Sequence, residues 1–293
     1  MIINFIRGLF MALADSVPGV SGGTIAFIMG FYDKFINSLD ALIYGDKKNK
    51  KDSFVFLIKL GIGWGCGMVL ASLILSNLFE RNIYEISSLF LGFIIFSIPL
   101  IIKEEKKELK DKYKNIIFSI IGILIVILIT KLNPVSSKER VVDITHLNIG
   151  LTLYIMISGM LAISAMVLPG ISGSTLLLIF GLYISIMTGI KEVLHFNFSY
   201  LPALIFFFFF LIIGILSIIK IIKKALNKYR SQTIYLVIGL MIGSIYAIIM
   251  GPTTLEIPRN SMSLSTFNII FFILGAAIII GLDKVKNILS KND

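Results

Sequence analysis

Cysteine, histidine, tryptophan and charge are all scarce in this chain of 293 residues. The one cysteine, Cys66, allows no intrachain disulfide. It sits within an apolar stretch, where a buried thiol acts as a small hydrophobe. The two histidines, His146 and His195, fall in connecting segments with no metal-ligand spacing, so neither a metal nor a cofactor is expected. Charged residues make up 15% of the chain and hydrophobic residues 57%, with a mean hydropathy of +0.94. A water-soluble domain needs far more polar surface to cover its core. The longest polar stretches, 45–53, 103–115 and 131–148, leave no room for a separate soluble domain.

What the chain does have is long apolar runs. Residues 54–78, 116–130, 201–219 and 267–282 are long enough, or nearly so, to cross about 30 Å of hydrocarbon as helices. The runs are continuous rather than alternating, which excludes the strands of a membrane barrel. Helical segments are expected at about 3–15, 23–40, 54–78, 84–102, 115–131, 149–168, 173–190, 200–220, 232–250 and 266–283. Arg7 and the short apolar stretch after it mimic a secretory signal. The residues that follow belong to a repeated motif, so this segment is read as mature protein.

Lysine and arginine outnumber acids by 27 to 17, for a net charge of +10. The placement of the lysines argues against nucleic acid as partner. Lys47, Lys48, Lys50 and Lys51 share one short loop, and Lys103 to Lys114 supply six lysines to a second. Lys220, Lys223, Lys224, Lys228 and Arg230 mark a third cluster, and Lys284, Lys286 and Lys291 mark the tail. By the positive-inside rule these face the cytoplasm of a bacterial plasma membrane, together with both termini. The poorer connections near 79–83, 131–148, 191–199 and 251–265 then face outward. Residues 1–40 therefore begin and end inside, and 149–190 begin and end outside. The first arm, about 3–15, is too short to span, so a re-entrant hairpin is expected there.

The strongest signal is internal repetition. Pro18-Gly19-Val20-Ser21-Gly22-Gly23-Thr24 recurs as Pro169-Gly170-Ile171-Ser172-Gly173-Ser174-Thr175, an offset of 151 residues. At the same offset Gly30 falls on Gly181, Tyr32 on Tyr183, Gly63 on Gly214 and Gly92 on Gly243. The expected architecture is one all-α polytopic membrane domain, 1–293, made of two repeats. Residues 1–133 hold a hairpin (3–40) and spans 54–78, 84–102 and 115–131. Residues 149–293 hold a hairpin (149–190) and spans 200–220, 232–250 and 266–283. An odd number of crossings separates the hairpins, so the second repeat inserts upside down, the design of secondary transporters.

Irregular backbone at membrane depth persists only where it is buried in protein or lines a cavity. The glycines permit tight turns and close approach of a ligand. Ser21, Thr24, Ser172 and Thr175 stand at the start of each second arm as helix caps. Free N–H groups there suit an anion. Candidate substrate-binding residues are thus Ser16, Gly19, Ser21, Gly22, Gly23, Thr24, Gly170, Ser172, Gly173, Ser174 and Thr175. Tight helix packing by small residues is the bland alternative. Asp15 stands just before the first motif, where Met166 occupies the corresponding region of the second. It is the candidate for a coupling proton or sodium ion, with a helix cap as the simpler role. Arg7 and Lys59 are the cations nearest the first hairpin. Either could meet a phosphate, although snorkelling to the interface is the plainer role for each. Phe206 to Phe210 read as lipid-facing surface, or else as the edge of a groove for an isoprenoid chain.

The segment from Ala14 to Thr24, with its echo from Leu168 to Thr175, resembles the signature of the polyprenyl-phosphate transporter family (PopT), across almost the whole chain. The resemblance implies a flippase that returns undecaprenyl phosphate, the lipid carrier of cell-wall synthesis, to the cytoplasmic leaflet. Its partners would be that lipid and the surrounding membrane lipids, with a homo-oligomer left open. It implies no catalytic residues. Two alternatives stay open: a transporter or channel for a small soluble anion, and an intramembrane serine protease built on Gly-x-Ser-Gly. The protease lacks a histidine within any span to act as base.

Overall fold

The computed structural model describes residues 2–15, 21–70, 82–132, 142–254 and 259–289. Among them the chain is all helical, without strands. The elements are α1 (Ile2–Asp15), α2 (Gly22–Ile28), α3 (Tyr32–Tyr44), α4 (Lys47–Leu70) and α5 (Ile83–Glu104). A single turn, α6 (Lys106–Leu109), leads to α7 (Ile116–Leu132). Then follow α8 (Ile149–Val167), α9 (Gly173–Ile179), α10 (Tyr183–Leu194), α11 (Leu201–Lys228), α12 (Arg230–Met250) and α13 (Ile269–Leu289). Six of these helices are long and apolar enough to cross a membrane: α4, α5, α7, α8, α11 and α12. The protein is a multi-pass membrane protein.

The expected segments are present, with informative differences. The arms read as single helices over 23–40 and 173–190 are each broken in two. The breaks fall at Gly30 and Gly181, both with φ +67°, a left-handed conformation that ends a helix readily only at glycine. α4 starts at Lys47, earlier than the apolar run, because its lysine-rich first turns continue the helix into the polar zone. The expected end of that span, 71–78, lies outside the described residues. α11 runs on to Lys228, about two turns beyond the apolar stretch. Cys66 is exposed on α4 rather than buried.

Packing follows the sequence repeat. α1 lies along α4, and α8 lies along α11. α5 packs with α13, and α12 packs with α7. Glycines mark these crossings, because a missing side chain lets two helix backbones meet. Gly63 faces the Phe5 backbone, and Gly214 faces that of Met160. Gly92 faces Phe272, and Gly243 faces Ile123. Gly8 of α1 abuts Leu60 and Trp64, and Gly159 of α8 abuts Phe207. The weak glycine matches at offset 151 are therefore helix-crossing points.

The buried centre is shared between the two halves. Ile25, Ile36 and Ile94 from the first pack into one cluster with Ile219, Ile234, Met241 and Ile279 from the second. α7 turns Ile117, Ile120, Leu124 and Leu128 outward, as a lipid-facing helix does. The phenylalanine run divides in the same way. Phe206, Phe208 and Phe209 are exposed, while Phe207 is buried against α8.

Candidate functional site

The two glycine-rich motifs meet in the middle of the protein. Ser21 caps α2: its backbone is extended, and its hydroxyl oxygen accepts the Thr24 N–H at 3.3 Å. The same hydroxyl donates to the Leu168 carbonyl at 3.1 Å. The Thr24 hydroxyl accepts the Gly170 N–H at 2.7 Å and lies 3.1 Å from Ser21 Oγ. With hydroxyl protons placed to satisfy every partner, a circuit closes. It runs from Gly170 N–H to Thr24, from Thr24 to Ser21, and from Ser21 back to Leu168. Beside it, the Tyr32 hydroxyl donates to the Val167 carbonyl at 3.3 Å. Ser21, Thr24 and Tyr32 are 1%, 1% and 3% exposed, so these bonds are made out of water.

Close backbone approach makes the seam. A Cβ on Gly23 would stand 2.5 Å from the Val167 carbonyl oxygen. A Cβ on Gly170 would stand 2.6 Å from the Leu240 backbone. Gly170 also adopts φ +87°, so both space and conformation exclude a side chain there. Gly173 presses on the Ala162 carbonyl in the same way. Ser172 is buried and Thr175 is half-buried in the first turn of α9, a turn that also contains Ser174.

Asp15 closes the first motif from the other side. It is the last residue of α1. Its Oδ1 accepts the Gly22 N–H at 2.6 Å, and its Oδ2 accepts the indole N–H of Trp64 at 2.9 Å. An internal carboxylate therefore occupies a backbone donor that the sequence reading left free for substrate. Trp64, the chain's one tryptophan, was not legible as a site residue: it lies in an apolar run on α4, far in sequence from the motif. Gly8 and the two residues that abut it, Leu60 and Trp64, show how α4 is brought close enough for this contact.

The cations stand apart from the seam. Arg7 donates to Asn4 and lies over the Phe31 ring at 4.7 Å. Lys59 is half-buried on α4 with no hydrogen bond or ion pair to a described residue. Ser16 and Gly19 lie outside the described residues. Two ionic contacts absent from the sequence reading tie α3 to the second half. Arg230, at the start of α12, grips Glu105 through Nε at 2.9 Å and Nη2 at 2.5 Å, and reaches Asp33 through Nη1 at 3.0 Å. Lys223 of α11 pairs with Asp40 of α3. Among the described residues no group of histidine, cysteine or acidic side chains is arranged to hold a metal.

Fold and seam together define a polytopic membrane protein whose buried polar centre is made by a repeated motif. Sequence comparison then supplies the family. The undecaprenyl phosphate translocase-like family (VCA0040-like) matches residues 11–266, and the chain belongs to it. A polyprenyl-phosphate transporter of Staphylococcus aureus is 35% identical over 287 residues, covering 97% of this chain and 96% of the relative. A polyprenyl-phosphate transporter of Vibrio cholerae is 32% identical over 268 residues, covering 88% and 80%. No solved structure gives a significant match.

Proposed function

We propose that the chain is a flippase that carries undecaprenyl phosphate between the leaflets of a bacterial plasma membrane. Relatives named polyprenyl-phosphate transporters, alike over most of their length, support the lipid class. The observation that carries the mechanism is the circuit through Thr24 and Ser21, which starts and ends on the other motif. A phosphate monoester brings about 1.5 to 2 negative charges and strong acceptor oxygens, and it cannot cross hydrocarbon bare. In this reading the two halves are inverted repeats, with both termini cytoplasmic. Parting of the motifs frees hydroxyl and backbone donors for the head group, while the isoprenoid tail stays in lipid. Closing them on each other restores the circuit once the head group has left. Alternating exposure of this seam moves the head group across.

Asp15 is the coupling group in this reading, taking a proton or a sodium ion as the seam opens. Unchanged transport and unchanged pH dependence in Asp15→Asn would remove it from that role. The protease reading gains nothing, because the Ser21 hydroxyl is engaged with a carbonyl and a threonine. The decisive test is flipping of undecaprenyl phosphate in proteoliposomes. Wild type should flip, and a folded Ser21→Ala, Ser172→Ala double variant should not. Flipping by neither under any pH or sodium gradient would favour a small soluble anion as substrate.

A further inference from the structure

A second polar site lies away from the seam. α3, α4 and α11 border an open groove of about 600 Å³ at the lysine-rich end of the bundle. Lys34, Asn37, Ser38, Asp52, Ser53 and Lys223 contribute to its lining. Ser38 and Ser53 are only 7% and 9% exposed, yet neither hydroxyl bonds to a described residue. Helical serines elsewhere in this protein, such as Ser88 and Ser97, turn back onto their own helix carbonyls. Both hydroxyls reach solvent through this groove, so they are donors open to a ligand there. Lys34 has no ion-pair partner among the described residues and lies over the Phe56 ring at 5.0 Å. Lys220, one turn before Lys223, lies over the Tyr44 ring at 4.0 Å and outside the groove lining.

We infer that this groove is a phosphate-monoester site, the place where a phosphorylated head group rests at the lysine-rich face. The donor set fits: two ammonium groups, two amides (Asn37 and Asn49) and two hydroxyls around a compact acceptor. Asp40 balances Lys223, which leaves Lys34 as the charge facing the ligand. Asp52 sets the specificity. A carboxylate can only accept, so it opposes a phosphodiester, which has no proton to give. A phosphate monoester, with a second pKa of about 6, keeps a monoanionic fraction near neutral pH, and the one P–OH of that fraction can donate to Asp52. α3 joins this site to the seam. Tyr32 at its start bonds Val167, and the groove residues 34–41 follow within about 14 Å along the helix axis.

The inference deepens the transport reading by giving the head group a resting place outside the seam. Its test is photo-crosslinking of the intact protein in neutral-lipid nanodiscs. The probe is a polyprenyl phosphate with a diazirine beside the phosphate, followed by peptide mass spectrometry. Label is expected within residues 32–53. It should fall at least fivefold in Lys34→Gln, Ser53→Ala and recover in Lys34→Arg, with all variants monodisperse. Unlabelled polyprenyl phosphate should compete. Competition by inorganic phosphate as well assigns recognition to the phosphate alone, and its failure to compete assigns it to the lipid. Phosphatidylglycerol should compete in Asp52→Asn and not in wild type. Label elsewhere, or label in 32–53 unaffected by Lys34→Gln, overturns the site. Label retained in 32–53 by a protein that does not flip lipid would keep the site and sink the transport reading, so the two fail separately.

Discussion

The backbone N–H of Gly170 donates to the hydroxyl of Thr24 across 2.7 Å, from one copy of the motif to the other. These residues lie 146 positions apart and in different repeats. Each motif thus completes the hydrogen bonding of the other, and in the proposed function these groups bond across the seam or to the head group, since being buried they cannot do without both.

Thr24→Val keeps the volume and removes the hydroxyl. It leaves the Gly170 N–H without its acceptor and takes a partner from Ser21. The expected loss is about 1–3 kcal/mol, the usual cost of a buried polar group left unpaired. Thr24→Ser should lose much less. Thermal unfolding in one detergent, read for both variants, checks the order. A Thr24→Val protein as stable as wild type would mean that the circuit does not hold the seam.

Much of this was legible in the sequence, and the reason is symmetry. The repeat at offset 151 announced both motifs, and the residues that face each other at the seam lie within them or close beside them. Gly30 and Gly181 were visible as a matched pair, but not as helix breaks, because apolar residues continue on either side. Hydropathy cannot distinguish one long arm from two short ones when the break is a matter of φ alone. Trp64, Arg230 and the groove at Ser38 and Ser53 were hidden for a different reason. Each acts through contacts between helices distant in sequence, and nothing in its local pattern differs from ordinary membrane or loop residues.

Trp64 and Asp15 should be energetically coupled, since the indole N–H and the Gly22 N–H share one half-buried carboxylate. Trp64→Phe removes one donor, and Asp15→Asn removes the charge that both donors serve. A double-mutant cycle is expected to give a coupling of about 0.5–3 kcal/mol, as for residues of one network. Additive effects would show that the contact contributes nothing to stability. Trp64 is the chain's one tryptophan, so its fluorescence reads this site without a label. Emission should change on adding polyprenyl phosphate to wild type, and should not in Asp15→Asn.

Arg230 holds two carboxylates with one planar guanidinium, a geometry that lysine cannot copy. Its side chain is 33% exposed, so the contribution is modest, about 1 kcal/mol, and open to screening by salt. Arg230→Lys should lower the unfolding temperature, and the difference from wild type should shrink between low and high salt. A difference indifferent to salt would assign the effect to packing at the start of α12 instead.

Gly23→Ala separates the needs of folding from those of closure. The added methyl meets the Val167 carbonyl at the end of α8, just before the other motif and not in α2 itself. Alanine is at least as good as glycine within a helix, so α2 should still form. What the methyl opposes is the approach of the two motifs, by overpacking that typically costs about 1–3 kcal/mol. At the upper end that shifts a two-state equilibrium roughly a hundredfold toward the parted form, at RT of about 0.6 kcal/mol. In a Cys66→Ala background, Ser172→Cys then reports the change, because Ser172 is buried in the closed seam. A small maleimide should label that cysteine at least tenfold faster when Gly23→Ala is present. Gly61→Ala serves as control, because a methyl there meets no neighbour within 4 Å. Faster labelling with Gly23→Ala alone identifies the seam as the closing surface. Equal rates in both would mean that the motifs stay shut whatever is placed between them, and that the head group must pass elsewhere.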